Sequence, residues 1–312
     1  MKLAKLITIL PVFVLLSFTE TAWAADIYVD VNGSNSEEDG GETKPYHTIS
    51  SALAIAEDNP ENQRTIQIKP GNYFEGELTF PDYAVLSGSN RDTVIIDREN
   101  LGGASITLGK NSIIENITVR GGNYGLVVPA YKKSTIRNCI IEKAKKIGIW
   151  VKRNNKLLDN SVEIWDSAIT NNVRKGLYSE SRHLYFINNR FENNGEEGID
   201  IRSKANGTIS GNTIANNGEG GIETEIRKVA LEISGNTLTL NRSNGITLNN
   251  RTNVGGKVTI KNNTISGNYK YGIRCTGSKS WTKKLWKKSV KNSYNSFSGN
   301  GKRNISKSCT RK

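Results

Sequence analysis

The 312-residue chain has two histidines, three cysteines and one methionine, and only 7% of it is aromatic. Two histidines leave little room for a His-rich metal centre or a Ser-His-Asp triad. Three cysteines cannot form a disulfide scaffold, so packing and backbone hydrogen bonds must hold most of the fold. After residue 24 no stretch is apolar enough to span a bilayer. The 36% hydrophobic content and the length are sufficient for a sizeable core, which excludes a disordered chain.

The first 24 residues read as a secretory signal. Lys2 and Lys5 precede an apolar run from Leu6 to Phe18, and Ala22-Trp23-Ala24 places small residues at the cleavage position. The expectation is an exported protein, periplasmic or secreted, with no membrane span and no lipid anchor. The charge supports a partner other than nucleic acid. Of the net +13, the leader carries +1 and residues 278–312 carry +11, which leaves +1 for the body. A neutral body with a basic end suits anionic glycans better than nucleic acid.

A repeat organises the rest. Gly followed by Ile or Leu recurs at Gly125, Gly148, Gly176, Gly198, Gly221, Gly245 and Gly272, at spacings of 22–28 residues. Asn116, Asn138, Asp166, Asn189, Asn212, Asn236 and Asn263 keep step with it, and Asn171, Asn194, Asn217, Asn241 and Asn268 follow five residues after the last five of these. Between the landmarks lie short alternating segments such as Ile209–Ile214 and Gly198–Arg202, without helix-length runs. One such unit cannot bury its apolar face. Stacked units can, with each strand paired to its equivalent one coil on and the Asn side chains bonded along the stack.

This pattern resembles the right-handed parallel β-helix of pectate lyases, polygalacturonases and pectin methylesterases. The resemblance implies an all-β fold: a single-stranded solenoid of 22–28-residue coils spanning residues 25–304, read as a monomer, with a basic tail at 305–312. Lys44-Pro-Tyr-His-Thr-Ile…Ala56 and Ile66-Gln-Ile-Lys-Pro-Gly-Asn-Tyr73 are similar to the start of exported β-helix proteins such as pectin methylesterases. There a short helix caps the stack; here Thr48 or Ser50 would begin it.

In such proteins chemistry usually sits on the sheet that the Gly-Ile strand resembles. If the residue after each Gly points in, Trp150, Tyr178, Asp200, Glu223, Thr247 and Arg274 form one outward column, and Lys152, Glu180, Arg202, Glu225 and Asn249 a second. Arg182, Lys204, Arg227 and Arg251 follow. Asp200 with Glu223 and Glu225 are the candidate catalytic carboxylates, since like charges on neighbouring rungs raise one pKa or share a Ca²⁺. Trp150 and Tyr178 offer flat faces to sugar rings, and Arg202 and Arg227 offer charge to uronate carboxylates. The competing reading is a solvated ladder of ion pairs, Asp200 with Arg202 and Glu225 with Arg227.

The Asn-Thr-Asp and Gly-His-Gly of polygalacturonases, the Asp-Phe-Ile-Phe-Gly of pectin methylesterases, the Asp-Pro-His-Asp of mannuronan epimerases and the Trp-Ile-Asp-His of pectate lyases are all missing. The expectation is therefore a protein that binds or processes an acidic polysaccharide, as a lyase, glycoside hydrolase or epimerase if it is an enzyme. The alternative is a non-enzymatic envelope or surface rod. After Gly272 an insertion brings Trp281 and Trp286 among five lysines, either a second anionic-polymer contact or a lid on the last coil. An oxidising compartment would permit a Cys275–Cys309 disulfide and leave Cys139 unpaired.

Overall fold

A computed structural model describes residues 26–310 apart from 34–36, 57–59, 61–62, 131, 154–160, 181, 203, 251–254 and 278–282. Residues 1–24, which read as a secretory signal in the sequence, and Arg251 and Trp281 lie outside the described residues. The chain winds through three parallel sheets. The first has 11 strands, from Ile27–Val29 to Val290–Ser293. The Gly-Ile sheet has 10, from Leu78–Thr79 to Arg303–Ile305, and a third has 10, from Gly71–Phe74 to Ser296–Ser298. Each strand pairs with its counterpart one coil away, which makes the molecule an all-β solenoid.

The residue after each Gly does point inward. Leu126, Ile149, Leu177, Ile199, Ile222, Ile246 and Ile273 are Cα partners along one row, each no more than 2% exposed. Full burial of each such side chain contributes about 1.5–3 kcal/mol. The glycine before it is required by close approach. A Cβ at Gly198 would lie 2.9 Å from Asn217 Nδ2 and 3.0 Å from the Gly221 carbonyl oxygen, and Gly176 and Gly221 are confined in the same way.

What approaches the glycines is one of two buried asparagine ladders. The first runs Asn189, Asn212, Asn236, Asn263, Asn295; the second runs Asn172, Asn194, Asn217, Asn241, Asn268, Asn300. In each, Oδ1 accepts from the backbone N–H and the Nδ2 of the preceding rung, while Nδ2 donates to a backbone carbonyl and to the next Oδ1. The residue just before each ladder position takes the left-handed conformation, as at Asn171, Asn193 and Asn216, each with φ 56°. The even spacing of the sequence landmarks therefore hides a one-residue change of role. Asn116, Asn138, Asp166 and Asn171 are left-handed turn residues, whereas Asn189 onward and Asn194 onward are ladder members. Cys139 and Ser167 occupy the first ladder's earlier rungs, where Cys139 N–H donates to Ser167 Oγ.

Helix α1 (Ile49–Ile55) closes the N-terminal end. Thr48 caps it by accepting from Ser51 N–H, and Ile49, Ala52 and Leu53 turn inward. Glu75 Oε1 accepts the Ile49 N–H at 2.6 Å, satisfying a helix-start donor that the interior would otherwise strand. At the other end α2 (Lys283–Ser289) buries Trp286 to 4% exposure against the last coils. The expectation of a sugar-binding face at Trp286 is thus corrected: the indole closes the core, whose open end would otherwise meet water. Beyond it α3 (Lys307–Thr310) folds back onto the strand Tyr271–Gly277, so 305–310 is not a free tail. Cys275 and Cys309 are joined there, with Cα atoms 5.3 Å apart, and Cys139 is free and buried.

Candidate functional site

The outward column of the Gly-Ile sheet is in register. Val127, Trp150, Tyr178, Asp200, Glu223, Thr247 and Arg274 are Cα partners on successive strands. Trp150 leans on Tyr124, with ring centroids 4.7 Å apart, and the Lys152 ammonium lies 4.9 Å from its ring centroid. One rung on, the Tyr178 hydroxyl donates to Glu180 Oε1 at 2.5 Å. Burial and that carboxylate push the Tyr178 phenol up to about 12. The Arg202 guanidinium lies 5.8 Å from the Tyr178 ring.

Asp200 differs from its neighbours: it points outward from the sheet yet is 0% exposed. Lys175 Nζ at 2.9 Å and Arg202 Nη2 at 2.8 Å both meet its Oδ2, while Oδ1 has no hydrogen-bond partner among the described residues. Burial outweighs the two cations and raises the Asp200 carboxyl to about 6. Lys175 also pairs with Glu197 and, at 3.4 Å, with Glu196. Burial opposes charge on Glu197, but the Lys175 ammonium outweighs it and holds that carboxyl below its usual value. Its neighbour Glu219 is raised, first by the hydrogen bond it shares with Glu197 and then by burial.

The other expected residues divide between open and paired. Arg202 Nη1 reaches Glu223 Oε1 at 3.6 Å, and Arg227 Nε lies 3.8 Å from Glu225 Oε1. Arg202, Glu223, Glu225 and Arg227 are half-buried and reachable; Asp200 is not. As a group that would touch a ligand, Asp200 is therefore corrected to a buried anchor beneath Lys175 and Arg202. Asp200 and Glu223 do not share a cation site: Arg202 lies between them, and among the described residues no three His, Cys, Asp or Glu side chains converge to hold a metal. With the Arg202 cation between them, Asp200 and Glu223 do not fit a shared Ca²⁺. Arg182, expected outward, is 1% exposed and donates to the carbonyls of Pro129, Lys152 and Lys132. It clamps the turns after the Gly-Ile strands, and burial lowers it to about 10, still protonated at neutral pH.

Lys175 and Glu197 escaped the sequence reading, although a signal was present. Both immediately precede the glycine of their coil, a position whose side chain also reaches the outer face.

A family model described as the right handed beta helix region matches residues 158–310. The solenoid is a right-handed parallel β-helix. Among curated proteins none matches. Among solved structures, the Dettilon tailspike protein gp208 aligns with TM-score 0.55 and 13% identity over 82% of this chain and 57% of its own. Pectate lyase Pel9A aligns with TM-score 0.48 and 14% identity, covering 92% of this chain and 78% of its own. The A-module of mannuronan C-5 epimerase AlgE6 from Azotobacter vinelandii gives 0.47 and 16%, covering 83% and 93%. At these identities the likeness is one of fold. Among the described residues no helix is long and apolar enough to cross a membrane.

Proposed function

We propose that this β-helix is an exported protein that binds an acidic polysaccharide along its Gly-Ile sheet. The observation that carries the reading is the in-register column, in which the Trp150 and Tyr178 rings adjoin Arg202 and Glu223 on consecutive rungs. Rungs repeat at about 4.8 Å, so the column presents a straight track of aromatic faces and charges to an extended polymer. Aromatic faces pack on pyranose rings, and a guanidinium meets a uronate carboxylate with planar geometry. The ion-pair ladder does not compete with this reading. Lys175 and Asp200 form a buried base that fixes Arg202, and the pairs at Glu223 and Glu225 are long enough to open.

If the bound polymer is also processed, Glu223 and Glu225 are the carboxylates open to it, with Asp200 positioning Arg202 from below. A non-enzymatic rod would need no such buried charge network, which must be hydrogen-bonded to be tolerated.

The test is titration of the folded protein with polygalacturonate and with alginate at rising salt. Exposed charges are screened within about 10 Å at 0.1 M, so affinity should weaken with salt, yet a part due to stacking should persist. Trp150→Ala should lower affinity at every salt concentration. Parallel incubation for unsaturated or shortened products separates binding from processing. Absence of binding to any acidic glycan overturns the reading in favour of the rod.

A further inference from the structure

We infer that the C-terminal cap of the β-helix builds a second, carboxylate-binding subsite at the far end of the same track, and that the two ends together select long polyanionic chains. The inference rests on the polysaccharide reading above and names the part of the polymer that the far end takes.

Arg274 is the last member of the outward column, paired in register with Thr247. Its strand pairs with the closing strand so that Tyr271 lies opposite Arg303. Arg274, Arg303, Lys307 and Tyr271 line one open groove with Ser306 and Ser308, and no carboxylate takes part. None of the three cations has an ion-pair partner among the described residues, unlike Lys175, Arg202 and Arg227 in mid-sheet. Arg303 and Lys307 are exposed and Arg274 is half-buried.

The groove is fixed rather than carried on a loose tail. Cys275, part of its wall, is disulfide-bonded to Cys309. Ser306 Oγ accepts from Cys275 N–H at 3.1 Å, and Ser308 Oγ donates to the Cys275 carbonyl at 2.5 Å. These contacts hold α3, and with it Lys307, against the strand that carries Arg274. Cations held in place before binding lose less freedom when an anion arrives.

Among the described residues the column therefore has cations without carboxylate partners at both ends and a paired, mixed-charge middle. At the near end Lys152 lies over Trp150 and Lys146 over Tyr124. Trp150 and Arg274 are five rungs apart, about 24 Å at about 4.8 Å per rung. A short oligouronide can meet one end only. A chain longer than that span meets both, and its second contact is made at high effective concentration.

The experiment uses the full folded protein and a size-graded series of oligogalacturonates, shorter and longer than about 24 Å, with the five-rung separation setting the threshold. Affinity should step up by about 10–100-fold once the chain spans both ends, at or below the low end of linked two-site gains. The triple variant Arg274→Gln, Arg303→Gln, Lys307→Gln should bind short chains at the near end alone, with that end's affinity unchanged, and lose the step. Long chains with esterified carboxyls should show no step with either protein. A step that survives in the triple variant overturns the subsite. So does wild-type protein that binds short and long chains alike, and that result leaves the polysaccharide reading standing. If chains of no length bind, both readings fall.

Discussion

Asn217 tests what holds the coils in phase. Its side chain is fully buried at the middle of the second ladder. Oδ1 accepts from Asn194 N–H at 3.1 Å and Asn194 Nδ2 at 3.0 Å, while Nδ2 donates to the Phe191 carbonyl and to Asn241 Oδ1, both at 2.9 Å. Asn217→Ala removes all four bonds. The Asn194 backbone N–H then has no acceptor, whereas Asn241 Oδ1 keeps the Asn217 N–H. Four bonds at about 1 kcal/mol each, with a further penalty of about 1–3 kcal/mol for one orphaned buried donor, give a loss of about 5–7 kcal/mol. At an m-value of about 3 kcal/mol/M that is a fall of roughly 1.7–2.3 M in the urea midpoint. The control is the adjacent Asn216, exposed and left-handed at φ 56°, where Ala forfeits only a turn preference of about 1 kcal/mol. Urea titrations followed by circular dichroism should separate the two variants clearly. Equal midpoints for Asn217→Ala and Asn216→Ala would refute the argument that the ladder, rather than the apolar row alone, sets the stacking. A coil touches only its neighbours, so a mid-stack defect weakens both of its interfaces and gives the test its greatest sensitivity.

Two further outcomes follow from buried titratable groups. Asp200 has a folded pKa of about 6 against an unfolded value of 3.8, so the folded state binds its proton more readily. Wild type should then be relatively most stable below about pH 4 and lose up to about 3 kcal/mol relative to Asp200→Asn as pH rises to about 6, with no further change above that. Melting temperatures of both proteins across that range check it; wild type gaining on the variant as pH rises would mean that Lys175 and Arg202 outweigh burial. For the thiols, Cys139 is fully buried and burial pushes it up to about 12, so oxidised native protein should show no reactive thiol and unfolded protein one. Three thiols on unfolding would contradict the Cys275–Cys309 link, whose loss over a 34-residue separation should cost about 4 kcal/mol in the chain-entropy account.

The fold was legible because every coil meets the same physical demand. A glycine is needed wherever the ladder amide and the next carbonyl approach to 2.6–3.0 Å, as at Gly176 and Gly198, and an apolar residue must follow it into the core. Demands repeated seven times leave a periodic trace, and the cap helix left its own trace in Thr48. The one-residue change of role between Asp166 and Asn189 left none. Asn serves equally well as a left-handed turn residue and as a ladder rung, so identical letters at Asn171 and Asn172 do different work.

The site was half legible for a related reason. Alternation along a strand shows which way a side chain points, but not what covers it. Asp200 points outward as its column requires, and is closed off by Lys175, 25 residues earlier on the preceding rung, and by Arg202 just past the end of its own strand. In a solenoid the neighbours that decide a pKa lie one coil away, at whatever offset the intervening turn allows. The coil before Asp200 spans 22 residues from glycine to glycine and the one before that 28, so no fixed spacing marks the partner. The useful sequence coordinate is position relative to each glycine. Counted that way, Lys175 and Glu197 fall in one column beside Tyr178 and Asp200, and the charge network is visible as two adjacent columns rather than as scattered ion pairs. The same coordinate places Arg274 at the end of the track, but Arg303 and Lys307 follow no Gly-Ile landmark. Their approach to Arg274 depends on the closing strand and on the disulfide, both products of how the solenoid ends and not of how it repeats.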